Sequence, residues 1–171
     1  DGRLLVAEDS SGWWNLRVKH PDETSWQRPW PMAAETAMPQ WIYGMSTTAW
    51  DDTGLRAAVC SRGSWTLKRL QADGEVVTID QPFDDLAYLQ ACNGRAVAVA
   101  SHSTCVAGLL EMDLRPASPL WEHTPSVISP LPAEAISVAE PMWFDGHGGE
   151  RTHAWYYPPM NGSSGAAPLL V

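Results

Sequence analysis

Thr53-Gly54-Leu55-Arg56-Ala57-Ala58-Val59-Cys60, then Ser61-Arg62-Gly63, then Ser64-Trp65-Thr66-Leu67-Lys68-Arg69-Leu70 is the stretch on which the fold turns. Apolar, β-branched and aromatic residues flank a short glycine-containing connection. That pattern predicts two antiparallel strands joined by a tight turn. It occurs twice more. Asp1-Gly2-Arg3-Leu4-Leu5-Val6-Ala7-Glu8 leads through Asp9-Ser10-Ser11-Gly12 to Trp13-Trp14-Asn15-Leu16-Arg17-Val18-Lys19. Asn93-Gly94-Arg95-Ala96-Val97-Ala98-Val99-Ala100-Ser101 passes through His102-Ser103-Thr104 into a strand from Cys105 to Leu114.

Each copy continues through a polar turn (Pro21-Asp22-Glu23, Asp73-Gly74-Glu75, Pro116-Ala117-Ser118-Pro119) into a short outer strand, clearest at Val76-Val77-Thr78-Ile79. Copies two and three are preceded by an apolar strand, Trp41 to Trp50 and Leu86 to Cys92. Four strands per unit, repeating roughly every 40 to 50 residues, is the period of a β-propeller blade, and no segment sustains a helical apolar period beyond about two turns. The expected fold is all-β: a partial β-propeller of about three four-stranded antiparallel blades, at 1–40, 41–85 and 86–135, the first incomplete, followed by a C-terminal β-hairpin. One such blade cannot bury both faces alone, so the units are expected to stack. The first residue already sits at the turn before strand two of its unit, so the chain is expected to start inside a blade. Glu23 to Gln40 reads as an elaborated outer strand and inter-blade loop, with one or two helical turns over Met32 to Met38.

Composition narrows the function classes. The 171 residues are 44% hydrophobic and contain no apolar run of membrane-spanning length. The net charge is -9, with Lys and Arg scattered. This excludes a nucleic-acid or anionic-membrane partner, because phosphate binding needs a local basic stripe. Cys60, Cys92 and Cys105 leave an odd thiol and no Cys-x-x-Cys spacing, which points to a reducing, cytoplasmic setting. Ten Trp against two Phe suit sheet-to-sheet contacts. Trp14 and Trp65 occupy matching places in two units and are expected to be buried between sheets.

After the third unit, Ile136-Ser137-Val138-Ala139-Glu140-Pro141-Met142-Trp143-Phe144-Asp145-Gly146 and Thr152-His153-Ala154-Trp155-Tyr156-Tyr157-Pro158-Pro159 predict a hairpin of Val138–Phe144 against His153–Tyr157. A Gly/Ser bend then leads to the opening of an apolar strand, Pro168-Leu169-Leu170-Val171. The Ser-x-x-Glu-Pro start of this segment, with Ser11-Gly12-Trp13-Trp14-Asn15-Leu16 and Pro39-Gln40-Trp41, resembles the last propeller blades and the hydrolase junction of prolyl oligopeptidase family serine peptidases, of the acylaminoacyl-peptidase or dipeptidyl-aminopeptidase type. The resemblance implies a propeller (1–135) that limits entry of peptides or acyl-peptides to an α/β-hydrolase domain, with 136–171 as the linker hairpin and the start of that domain. It also implies that the catalytic Ser, Asp and His lie outside this chain, which is therefore expected to be inactive alone.

The residues themselves agree with that absence of chemistry. Gly146-His147-Gly148-Gly149 looks like an oxyanion segment, but it joins the two hairpin strands, so it reads as a turn. Gly162-Ser163-Ser164-Gly165 misses the nucleophile-elbow spacing by one residue, so Ser163 and Ser164 read as linker. His20, His102, His123, His147 and His153 are spread over different units, and a metal site needs three or four converging ligands. Asp51-Asp52 and Asp84-Asp85 read as solvated turns. No catalytic, cofactor-binding or metal-ligating residue is therefore expected, and no cofactor. The cut blades are expected to self-associate through an open face. The alternative from the same residues is a stand-alone propeller-like module binding a protein or glycan through its Trp-rich faces.

Overall fold

Arg62 and Gly63 both lie at positive φ, 54° and 80°, as do Asn93 and Gly94, at 53° and 73°. Two consecutive left-handed residues form the hairpin turn whose twist matches antiparallel strands. They close Ser61 onto Ser64 and Cys92 onto Arg95. These turns belong to a computed structural model describing residues 2–160, except 40, 42 and 117, together with 168 and 170.

Strands β1 (Leu4–Glu8) and β2 (Asn15–Lys19) form a two-stranded sheet, to which Gln27 adds a bridge at Val18. Strands β3 (Thr48–Asp51), β4 (Gly54–Ser61), β5 (Ser64–Leu70) and β6 (Val76–Thr78) form a second sheet in chain order. Strands β7 (Asp85–Cys92), β8 (Arg95–His102), β9 (Cys105–Asp113) and β10 (Leu120–Pro125) form a third, also a simple meander. A hairpin of β11 (Glu140–Asp145) and β12 (Arg151–Tyr156) follows. Among the described residues the helical content is two short 3-10 turns, Ala133–Ala135 and His147–Gly149. The chain divides into one unit of residues 1–102 and 107–126 and another of 103–106 and 127–171.

In the first unit, β4 is covered on both faces, because a blade is sandwiched by its neighbours. Leu55, Ala57 and Val59 join Leu70 in a cluster with Leu16 and Val18 of the first sheet and with Trp30 and Ala34 of the connecting segment. The alternate residues Arg56 and Ala58 are equally buried, and β7 of the third sheet lies against β3, β4 and β5. Small side chains at Ala57, Ala58, Ala96, Ala98 and Ala100, all buried, permit the sheets this close approach. Stacked four-stranded meanders of this kind are blades of a β-propeller.

Four expectations shift. The strand leading the second blade is only Thr48–Asp51, and the hairpin strands begin at Glu140 and Arg151. Met32–Met38 is not helical: Glu35 exchanges both backbone hydrogen bonds with Cys60, and Thr36 N–H donates to Trp14 O, so the segment is laced between two sheets as extended chain. Trp14 and Trp65 are only half-buried; Leu16 and Leu67 take the interior places, and the buried tryptophan is Trp30, 5% exposed, whose Nε1 donates to Gln71 O at 2.7 Å.

In the second unit, one hairpin face carries Trp143, His153 and Trp155, with ring centroids 4.8 and 5.0 Å apart in succession and the Arg151 guanidinium 5.9 Å from the Trp143 ring. Met142, Phe144 and Tyr156 occupy alternate positions along the same two strands, so both faces are apolar and exposed. Ser137 Oγ donates to Pro158 O at 2.6 Å across the hairpin's base. The bend at Gly162–Gly165 and the strand expected over Pro168–Val171 lie outside the described residues, apart from Pro168 and Leu170.

Candidate functional site

Two places on the inner strands concentrate polar chemistry. The first is the β3–β4 turn. The Asp51 carboxylate is 5% exposed and faces the guanidinium of Arg56, 2% exposed, at 3.3 Å. Its Oδ1 also accepts from Thr53 N–H (2.9 Å) and Thr53 Oγ (2.6 Å), while Oδ2 accepts the Gly94 N–H of the third blade at 2.8 Å. Arg56 donates onward to Gly54 O and Thr53 Oγ, both at 2.7 Å. Burial alone would raise the Asp51 carboxyl, but the hydrogen bonds from Thr53 and Gly94 and the Arg56 charge hold it below the usual carboxylate range. The solvated turn expected at Asp51-Asp52 is thus a buried ion pair at Asp51, while Asp52 stays exposed. Asp51 pairs the charge of Arg56, which burial would otherwise leave alone, while the buried Arg56 Nε keeps no hydrogen-bond partner.

The second place is β7. Its pairing with β8 is broken by a bulge between Ala87 and Gln90. Tyr88, inside the bulge, has φ of 55° and is 42% exposed. Strict alternation after Leu86 would bury Tyr88 and expose Leu89. The extra residue reverses this, and Leu89 is buried instead. Ser46, from the segment entering β3, fastens the shifted register: Leu89 N–H donates to Ser46 O at 2.9 Å and Ser46 Oγ donates to Leu89 O at 2.8 Å. Gln90 Nε2 donates to Ser46 Oγ at 3.0 Å. Nothing in the local sequence marks this bulge, because its clamp lies 44 residues from Gln90.

The residues weighed from sequence fall elsewhere. Gly146–Gly149 forms the β11–β12 turn, with Gly146 N–H bonded to Glu150 O and Gly149 N–H to Gly146 O, so these two amides point into their own loop. Asp84 and Asp85 are exposed, Asp85 accepting from Ser101 Oγ at 3.2 Å. His102 and His123 flank the buried Phe83 ring at 5.8 and 4.6 Å, and His153 sits between two tryptophans. Among the described residues no three His, Cys, Asp or Glu side chains converge as a metal site requires. Cys60 and Cys92 are free thiols, and Cys105 Sγ lies 3.7 Å from Val106 O. Ser163 and Ser164 lie outside the described residues, and among those described no helix is long and apolar enough to cross a membrane.

Sheets stacked face to face around short meanders define the chain as part of a β-propeller. Among solved structures it is similar to a puromycin-hydrolysing peptidase of Mycobacterium tuberculosis, with a TM-score of 0.83 and 23% identity over 92% of this chain and 24% of that one. It is also similar to a puromycin hydrolase, with a TM-score of 0.81 and 28% identity over 93% of this chain, and to a serine-to-alanine mutant of a puromycin hydrolase complexed with PGG, at 0.80 and 28%. The chain spans 24% of the length of these proteins. The likeness agrees with the resemblance to prolyl oligopeptidase family peptidases. No family model and no curated protein matches the chain.

Proposed function

We propose that these blades serve a serine peptidase of the puromycin-hydrolase kind, as a non-catalytic propeller that restricts which peptides or acyl-peptides reach a hydrolase site elsewhere in the polypeptide. The substrates are aminoacyl and acyl-peptide amides, as for acylaminoacyl- and dipeptidyl-aminopeptidases, and the protein works in the cytoplasm. The observation that carries this reading is the match to a puromycin hydrolase at 28% identity and a TM-score of 0.81 over 93% of the chain. Acyl transfer needs a nucleophile, an oriented base and an oxyanion hole. The test applies a fluorophosphonate probe, aminoacyl nitroanilides and puromycin in parallel to residues 1–171 and to the complete polypeptide encoded around them. The expected result is labelling and turnover by the complete polypeptide alone. Failure of the complete polypeptide to label at any serine overturns the peptidase reading, and labelling of residues 1–171 overturns the non-catalytic role.

A further inference from the structure

Tyr88 is the one non-glycine residue at positive φ among those described that does not occupy a two-residue hairpin turn; Arg62 and Asn93, the others, do. A bulky side chain in the left-handed region is a real outlier that strains the backbone. Within residues 1–171 the cost is not recovered by burying the ring, which is 42% exposed there. Nor does the fold drift into this conformation. Two hydrogen bonds between Ser46 and Leu89 and a third from Gln90 impose it from a neighbouring blade. What the bulge achieves is to bury Leu89 while delivering a phenol ring to the surface. Bulges commonly re-aim a side chain in this way beside functional sites.

The position sharpens the point. β7 is the terminal strand of its sheet, bonded to β8 on one edge, and its counterpart β3 ends the second sheet in the same manner. These two strands lie against each other. In a propeller such strands are the innermost ones, lining the central channel. We infer that Tyr88 is a substrate-contacting residue of this channel, its ring stacking on apolar or aromatic side chains of the peptide and its hydroxyl offered to peptide carbonyls. The inference rests on the peptidase reading above. The backbone conformation is held at a cost so that the ring stands clear, a trade of stability for function.

Glycine adopts positive φ without strain, so Tyr88→Gly separates the two roles. In the complete polypeptide, Tyr88→Gly is expected to raise the melting temperature while raising KM for aminoacyl nitroanilides and puromycin about five-fold, the size of a lost aromatic contact. kcat stays near the parent value. Tyr88→Phe keeps the ring and is expected to retain most of the parent KM. An unchanged KM in Tyr88→Gly overturns the inference, whichever way stability moves. A rise in KM accompanied by lost stability also overturns it, since that is the signature of a packing residue. A parent protein that never reacts with the fluorophosphonate probe defeats the peptidase reading, and this inference with it. A reactive parent whose Tyr88→Gly variant is kinetically silent defeats this inference alone.

Discussion

Asp51 Oδ2 accepts the backbone N–H of Gly94 at 2.8 Å, so the carboxylate that closes one blade's inner turn also holds the inner turn of the next. Its other oxygen faces the buried Arg56. Asp51→Ala is expected to cost about 3 to 5 kcal/mol, because it strands a buried guanidinium as well as freeing Gly94. Denaturant melts read this directly. A loss no larger than that of Asp52→Ala, at the exposed neighbour, would show that the inter-blade contact carries no weight.

Acid should weaken the fold through the same group together with other lowered carboxyls, Glu8 and Asp113 among them. Hydrogen bonds from Ser10 and Arg17 lower Glu8 from 4.5 to about 2, and Asp51 is also lowered. Both carboxyls bind protons more weakly when folded, so their contribution is fully present above the unfolded carboxylate values and is lost as pH falls toward the folded ones. The melting temperature is therefore expected to decline from about pH 4.5 downward. Glu8→Gln and Asp51→Asn should each lower it near neutral pH and flatten the decline. Parallel pH profiles for parent and variants would contradict this.

Trp30 should be the tryptophan that matters most for stability. Truncation to Ala is expected to cost about 3 to 5 kcal/mol, and Trp30→Phe about 1, chiefly for the lost bond to Gln71. Trp14→Ala and Trp65→Ala should cost less, since both side chains are only partly buried. Equal losses at all three positions would overturn the ranking.

Gly108 of β9 is paired with Pro125 at the end of β10. A Cβ there would stand 2.6 Å from Pro125 Cα and 2.8 Å from His123 Nε2. Gly108→Ala is expected to detach the outer strand, raising amide exchange over Leu120–Pro125 while leaving β3–β6 protected. Uniform protection in the variant would refute it.

Residues 1–171 on their own are expected to self-associate. Among the described residues, β1 has β2 on one edge and no strand on the other, and Leu4 and Val6 are 57% and 40% exposed. It carries no Pro or Lys to discourage pairing. Val6→Lys should shift the population toward monomer in light scattering. A parent already monomeric at high concentration would remove the premise.

The blades were readable because their determinants are local. Gly63 and Gly94 announce tight turns, and apolar alternation announces the strands between them. What escaped depends on contacts distant in sequence. Trp65 has the strand position of an interior residue, yet Leu67 fills the space between sheets. Met32–Met38 has helix-compatible residues, but the backbones of Trp14 and Cys60 claim its hydrogen bonds. Asp51 looks like any turn aspartate until Gly94 is brought beside it. Tyr88 has no local signature, since the serine that sets its backbone belongs to another blade.

Within both four-stranded sheets every strand is laddered only to strands adjacent to it in the chain. Each of these two blades is therefore built from one uninterrupted stretch of the polypeptide, roughly 40 to 50 residues long. Duplication or deletion of such a stretch changes the ring by a whole blade without breaking a hydrogen-bond ladder. Contacts such as Asp51 with Gly94 are what a newly copied blade must re-establish with its neighbours. Ring size can thus evolve in whole steps, with selection acting on the joints between blades.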